Sequence, residues 1–160
     1  MIRKKILLIG DFGVGKTSLI RRYVDNEFSD EYITTIGVKI SKKRLLIDTI
    51  DCELLIWDIE GATPTKKIPH SYFKGASGAI FVCDASSGES VDDLYEHINS
   101  FLIVNPQAKY VIAYNKIDLL SIQQKETLSI KLSANEFMTS AKYDKNVTQM
   151  FETLAKEIVL

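Results

Sequence analysis

Only two cysteines occur in 160 residues, Cys52 and Cys83, so no disulfide framework exists. Their separation fits no metal-ligand spacing, and buried free thiols in a reducing compartment are expected. No apolar run approaches the ~20 residues of a membrane span. Three prolines and the lack of any low-complexity tract leave no extended linker. Excess charge of one sign is missing too. Twenty basic residues face 21 acidic ones, for a net charge of −1. That balance excludes the strong basic field of a nucleic-acid binder. The start, Met1-Ile2-Arg3, offers neither a signal peptide nor a myristoylation glycine, and the end, Glu157-Ile158-Val159-Leu160, has no prenylation cysteine. The expectation is a cytoplasmic protein without an intrinsic membrane anchor, or a piece whose tail was removed, folded as a single domain over residues 1–160. Nothing in the chain specifies its oligomeric state.

Against these absences stands Gly10-Asp11-Phe12-Gly13-Val14-Gly15-Lys16-Thr17, which directly follows the apolar run Ile6-Leu7-Leu8-Ile9. It reads G-x-x-x-x-G-K-T, the loop that wraps a nucleoside polyphosphate. Glycines such as Gly13 and Gly15 let the backbone turn its amides toward phosphate oxygens. Val14 and Ser18 belong to the same wrapping stretch. Lys16 supplies a mobile charge for the β- and γ-phosphates, and Thr17 a hydroxyl for Mg²⁺. A helix beginning near Lys16 aims its positive end at the same anion.

Apolar runs alternate with amphipathic stretches along the chain, which predicts an α/β fold with helices on both faces of a mostly parallel sheet. Strands are expected at residues 6–9, 38–47, 50–58, 79–84, 110–115 and 135–139. The second and third of these are joined by a tight turn at Asp48-Thr49 and pair antiparallel. Helices are expected at 16–26, at 90–104 with Ser90 as N-cap, and at 147–159, with a short one at 123–128. The basic group Lys39, Lys42, Lys43 and Arg44 reads as the wet face of an exposed strand. Every candidate functional residue falls at or beyond the C-terminal end of a strand, where open α/β sheets bind ligands.

Asn115-Lys116-Ile117-Asp118 follows one such strand. The Asp118 carboxylate can accept from guanine N1–H and the exocyclic amine, a donor pair adenine lacks. Asn115 can tie this loop to the phosphate loop, and the stem of Lys116 can lie along the base. In Ser140-Ala141-Lys142, the Ala141 amide can meet the guanine carbonyl, and Lys142 can cover the other ring face. Phe28 either packs edge-on against the base or joins the core. Asp58 ends a strand where a carboxylate holds Mg²⁺ through water, and the Gly61 amide can bond the γ-phosphate. Thr35 can add a hydroxyl to the metal and an amide to the γ-phosphate, contacts that only a triphosphate allows. Lys16, Thr35 and Gly61 are thus the candidates for assisting chemistry. Trp57 reads as a sheet-face aromatic, His70 as a surface or partner residue and His97 as solvent-facing.

These residues together resemble the Ras-like small GTPase superfamily, most closely its Rab branch. Five guanine-nucleotide motifs appear in order: the phosphate loop, Thr35, Asp58-x-x-Gly61, Asn115-Lys116-x-Asp118 and Ser140-Ala141-Lys142. Tyr32-Ile33-Thr34-Thr35-Ile36-Gly37-Val38 is similar to the Rab effector loop, and Ser71-Tyr72-Phe73-Lys74-Gly75-Ala76-Ser77-Gly78-Ala79 to the Rab stretch before the fourth strand. The resemblance implies a P-loop NTPase G domain with a six-stranded sheet, one strand of it antiparallel. It also implies GTP and GDP as ligands, Mg²⁺ as cofactor, and effector proteins, an exchange factor and a GTPase-activating protein as partners through residues 27–38 and 59–73.

Two departures bear on catalysis. Ala62 stands where the family has the glutamine that orients the attacking water, and a methyl group cannot do that. Glu60 and Thr63 flank it and could take over if the loop bends. Phe12 stands where a small residue is usual, and its ring can crowd an arginine finger. Two functional readings remain open: a slow GTPase switch, or a GTP-binding module that barely hydrolyses. A small nucleotide kinase is the third, but the chain has no arginine-rich lid.

Overall fold

A computed structural model describes residues 1–24, the strand at 32–33, 37–59 and 67–160. The sheet has the order β2-β3-β4-β1-β5-β6-β7. Its strands are β1 (Ile2–Ile9), β2 (Tyr32–Ile33), β3 (Val38–Ile47), β4 (Ile50–Ile59), β5 (Gly78–Asp84), β6 (Lys109–Asn115) and β7 (Glu136–Met138). The six expected strands are present, and β2 adds a two-residue edge. β3 alone runs against the rest, because it pairs antiparallel with both β2 and β4. Asp48, at φ 52°, provides the left-handed turn between β3 and β4.

Helices α1 (Lys16–Val24), α2 (Gly88–Asp92), α3 (Leu94–Val104), α4 (Ile122–Lys131) and α5 (Val147–Val159) cover the sheet. Two cores result from the period-2 alternation of β1. Ile6 and Leu8 point into one core with Leu19, Ile80, Val82, Phe151 and Leu154; Leu7 and Ile9 point into the other with Phe73, Phe81, Leu94 and Phe101. In the first, Phe151 of α5 stacks on Tyr23 of α1 with ring centroids 4.2 Å apart. Trp57 lies against the second core, with the Lys5 ammonium 3.7 Å from its ring centroid.

Three expectations are corrected. The helix foreseen at 90–104 is two segments meeting at Asp93, and its N-cap is Ser87, whose hydroxyl accepts from the Ser90 amide. Ser90 is instead buried, and its hydroxyl accepts from the Asp84 amide at 2.9 Å. The helix foreseen at 123–128 is longer, because Ser121 and Gln124 form a capping box at its start. His97 is not solvent-facing: its side chain is 15% exposed and meets Asp11 at 2.9 Å. Both cysteines are buried and free, and burial pushes the Cys83 thiol up to about 12. Among the described residues, no helix is long and apolar enough to cross a membrane.

The stacked pair in the first core gives a stability test. Phe151→Ala removes a fully buried ring and is expected to cost ~3–5 kcal/mol. Ile130→Ala, at a position 84% exposed, should stay within about 0.5 kcal/mol of the parent. Urea unfolding of the two variants beside the parent checks both values.

Candidate functional site

β1 is flanked by β4 and β5, and the loop after it opens where the connections diverge to the two faces of the sheet. Two glycines there have a strict requirement. A Cβ on Gly10 would lie 2.2 Å from the Val82 carbonyl oxygen of β5. A Cβ on Gly15, at φ +99°, would lie 2.4 Å from the Asn115 amide nitrogen. Both approaches are too close for any side chain.

The loop's carbonyls are held by three side chains. Lys16 Nζ donates to the Gly10 and Asp11 carbonyls, each at 3.1 Å. Asn115 Nδ2 donates to the Val14 carbonyl at 2.9 Å, and Lys116 Nζ to the Gly13 carbonyl at 2.6 Å. Lys16 is 6% exposed. Burial lowers its pKa, while the charges of Asp58 and Asp11 oppose that shift. Such a buried cation, whose hydrogen bonds among the described residues go to neutral carbonyls, is well disposed to an anionic ligand.

Thr17, at the start of α1, donates its hydroxyl to the buried Asp58 carboxylate at the end of β4. One neutral and one anionic oxygen side by side suit a hard cation such as Mg²⁺. Among the described residues no group of three His, Cys, Asp or Glu forms a metal cage. Next to these groups a cleft of about 610 Å³ is lined by Phe12, Gly13, Lys16, Thr17, Ser18 and Lys116 among others. Phe12 stands at its mouth, 78% exposed.

The second half of the site comes from β6 and the loop after β7. Asn115, buried at the end of β6, also accepts from the Thr139 hydroxyl at 3.1 Å. Lys116 takes a left-handed φ of 64°. Its ammonium lies 3.4 Å from Asp84 Oδ2 at the end of β5. Burial works against charge on Asp84, yet hydrogen bonds from the Ser86 hydroxyl and amide, with the Lys116 ammonium, hold its carboxyl below the usual range. Ser140 donates its hydroxyl to Asp118 Oδ1 at 2.8 Å, which orients the half-buried carboxylate. Ala141 and Lys142 follow, their carbonyls accepting from Arg22 of α1 at 2.7 and 2.9 Å. Lys142 extends its ammonium over the Tyr143 ring.

The fold thus gathers Gly13, Gly15, Lys16, Thr17, Ser18, Asp58 and Lys116 around one cleft, with the buried Val14 and Asn115 bonded to each other behind it. Asp118, Ser140, Ala141 and Lys142 join it through Asn115 and the Thr139 hydroxyl. Phe28, Thr35, Glu60, Gly61, Ala62 and Thr63 lie outside the described residues. The sequence reading missed Arg22 and Asp84. Arg22 carries no motif signal, whereas Asp84 stood in plain view as an acid at a strand end.

The family profile "Ras family" matches residues 5–160. Ras-related protein Rab-1 of Theileria parva is 36% identical over 163 residues, covering 96% of this chain and 73% of the relative. Ras-related protein SEC4 of Saccharomyces cerevisiae is 35% identical over 161 residues, covering 96% and 74%. Ras-related protein Rab-25 of Homo sapiens is 33% identical over 166 residues, covering 96% and 75%.

One bond between the two halves is open to a direct test. Asn115→Ala leaves the Val14 carbonyl and the Thr139 hydroxyl without their buried partner. The expected loss is ~1–3 kcal/mol in urea unfolding.

Proposed function

The chain belongs to the Ras family, in its Rab branch, and from that membership we propose a one-domain switch that holds GTP or GDP with Mg²⁺, turns GTP over slowly and engages effectors in the GTP state. Members of this family are GTPases, and GTP hydrolysis is the activity of this chain. The observation that carries the reading is the bonding across the cleft. Lys116 and Asn115 grip the phosphate loop from the strand that leads to Asp118, so phosphate and base recognition sit on one rigid unit.

In this reading Gly13, Val14, Gly15, Lys16, Thr17 and Ser18 bind the phosphates, and Asp118 reads guanine with Asn115, Lys116, Ser140, Ala141, Lys142 and Phe28 around it. Asp118 discriminates because a carboxylate left unpaired by the wrong base is costly. Thr17, Asp58 and Thr35 hold Mg²⁺, which neutralises phosphate charge when bound. Lys16 and the loop amides stabilise negative charge on the β–γ bridge as water attacks in line, and the Gly61 amide bonds the γ-phosphate. Residues 27–38 and 59–73 meet effectors, an exchange factor and a GTPase-activating protein. The reading is of a cytoplasmic protein, consistent with two free buried thiols.

Ala62 and Phe12 support slow turnover. No side-chain amide is available at position 62 to orient water, and the exposed Phe12 ring lines the cleft where an arginine finger would enter. The same two residues favour the second reading, a module whose output is set by GTP occupancy with almost no hydrolysis. Single-turnover phosphate release from stoichiometric protein and GTP separates the two. Release within hours supports the switch, and no release even with cell extract supports the module. Ala62→Gln should speed release by about tenfold to a hundredfold, the scale of correcting one reactant's position.

Base choice tests Asp118. Asp118→Asn should lose GTP affinity and gain xanthosine triphosphate, whose C2 oxygen accepts from a donor amide. Titration calorimetry with both nucleotides checks this, and unchanged GTP affinity without xanthosine binding removes Asp118 from base reading.

A further inference from the structure

Arg22 belongs to no nucleotide motif, yet it joins the helix of the phosphate loop to the loop after β7. α1 begins at Lys16, and six residues further on its axis has advanced by about 9 Å. There the helix is locked by Tyr23, which is buried and stacked on Phe151 of α5. The neighbouring Arg22 is exposed, and its guanidinium forks onto two successive carbonyls. Nε donates to the Ala141 oxygen at 2.7 Å and Nη2 to the Lys142 oxygen at 2.9 Å. A planar pair of donors fixes an orientation that a single ammonium does not.

The second of these bonds leads further. A trans peptide holds its C=O and its N–H on opposite sides. The Lys142–Tyr143 peptide turns its carbonyl to Arg22, and on its other side the Tyr143 amide donates to Ser140 Oγ at 3.1 Å. The Ser140 hydroxyl in turn donates to Asp118 Oδ1 at 2.8 Å. Hydrogen bonds in such a series polarise one another. Ser140 is buried, and two hydrogen bonds with Lys145, at 3.2 and 2.9 Å, hold its backbone, so the freedom left to it is that of its side chain.

We infer that Arg22 is a positioning residue for base specificity: through the Lys142–Tyr143 peptide and the Ser140 hydroxyl it sets the Asp118 carboxylate to meet two base donors at once. The inference rests on the guanine-reading role of Asp118 proposed above. The hydrogen bonds of Arg22 go to loop carbonyls, so it acts on the base through the loop.

A carboxylate free to swing still finds one donor, but it no longer engages N1–H and the 2-amino group together. Guanine, which has both, then loses more than hypoxanthine, which has N1–H and no 2-amino group. The Ala141 amide meets a carbonyl oxygen that the two bases share. General loosening of the loop therefore weakens both nucleotides by the same factor. The preference for GDP over inosine diphosphate thus separates a relay to Asp118 from a loop that has merely come loose.

The test is competition of GDP and of inosine diphosphate against a fluorescent GDP analogue, on the full chain with Mg²⁺. The proteins are the parent, Arg22→Ala, Ser140→Ala and the double variant. Arg22→Ala should weaken GDP by about three- to tenfold, the scale of one net hydrogen bond. It should weaken inosine diphosphate less, so that the preference falls by about two- to fourfold. In the Ser140→Ala background, Arg22→Ala should leave the preference unchanged, because the relay is already cut. A preference unmoved by Arg22→Ala, or one that falls as far without the Ser140 hydroxyl, would overturn the inference. If the parent binds neither nucleotide, it is the binding reading that fails, and carbon-13 NMR of the ligand-free chain then decides on the relay alone. An Asp118 carboxyl resonance that shifts on Arg22→Ala, and no longer does so in the Ser140→Ala background, sustains it; a resonance that stays put, or shifts equally in both backgrounds, overturns it.

Discussion

The structure depends on how the backbone of residues 10–16 is held. Four of its carbonyls, at Gly10, Asp11, Gly13 and Val14, each accept from a lysine or asparagine side chain. A peptide plane that offers its carbonyl one way presents the neighbouring N–H the other way. Anchoring the carbonyls therefore presets the amides without any ligand. The two glycines at closest quarters, Gly10 and Gly15, exist because β5 and Asn115 come within side-chain distance of the loop. Such preorganisation stabilises transferred charge at no reorganisation cost during the reaction.

The sheet supplies the rigidity this requires. β1 sends alternate residues into two cores, so the strand that carries the loop is gripped from both faces. β4, β5 and β6 run parallel to it, directly or through a neighbour, and end at the same edge. Asp58, Asp84 and Asn115 are thereby delivered to one rim, and the register pairs Asp84 with Asn115. The bond between Asn115 and Val14 then crosses the 101 residues that separate them in the chain. The rim groups and the core beneath them are in this sense parts of one packed body, with the helical layer fastened to it through Asp11 and His97.

Much of this was legible in the residue order because the signals were local. The bounds of β3 and α5 follow from alternation and from the apolar stripe at Val147, Met150, Phe151 and Leu154. The phosphate loop and the Asn115–Asp118 stretch are contiguous, so spacing reveals them. The structure departs from expectation where a tertiary contact overrides a local signal. Ser87 and Ser90 are both plausible caps, and only the Asp84 amide beneath Ser90 shows which one the fold buries. The capping box at Ser121 and Gln124 lengthened a helix whose apolar periodicity is weak and which buries none of its residues. β2 is two residues long and exists by pairing with β3, which no period can announce.

The residues by themselves determined which groups stand together along the chain: a glycine loop with Lys16 and Thr17, Asp58 at a strand end, and the stretch Asn115 to Asp118, each written within a short stretch of chain. Tertiary structure alone decided which distant groups hold those stretches in place. Arg22 against the Ala141 and Lys142 carbonyls, Lys116 between Gly13 and Asp84, and His97 on Asp11 join residues 119, 103 and 86 positions apart. Spacing along a chain encodes contacts within a turn or a hairpin. Contacts across a sheet depend on strand order and register, which emerge only when both cores close at once.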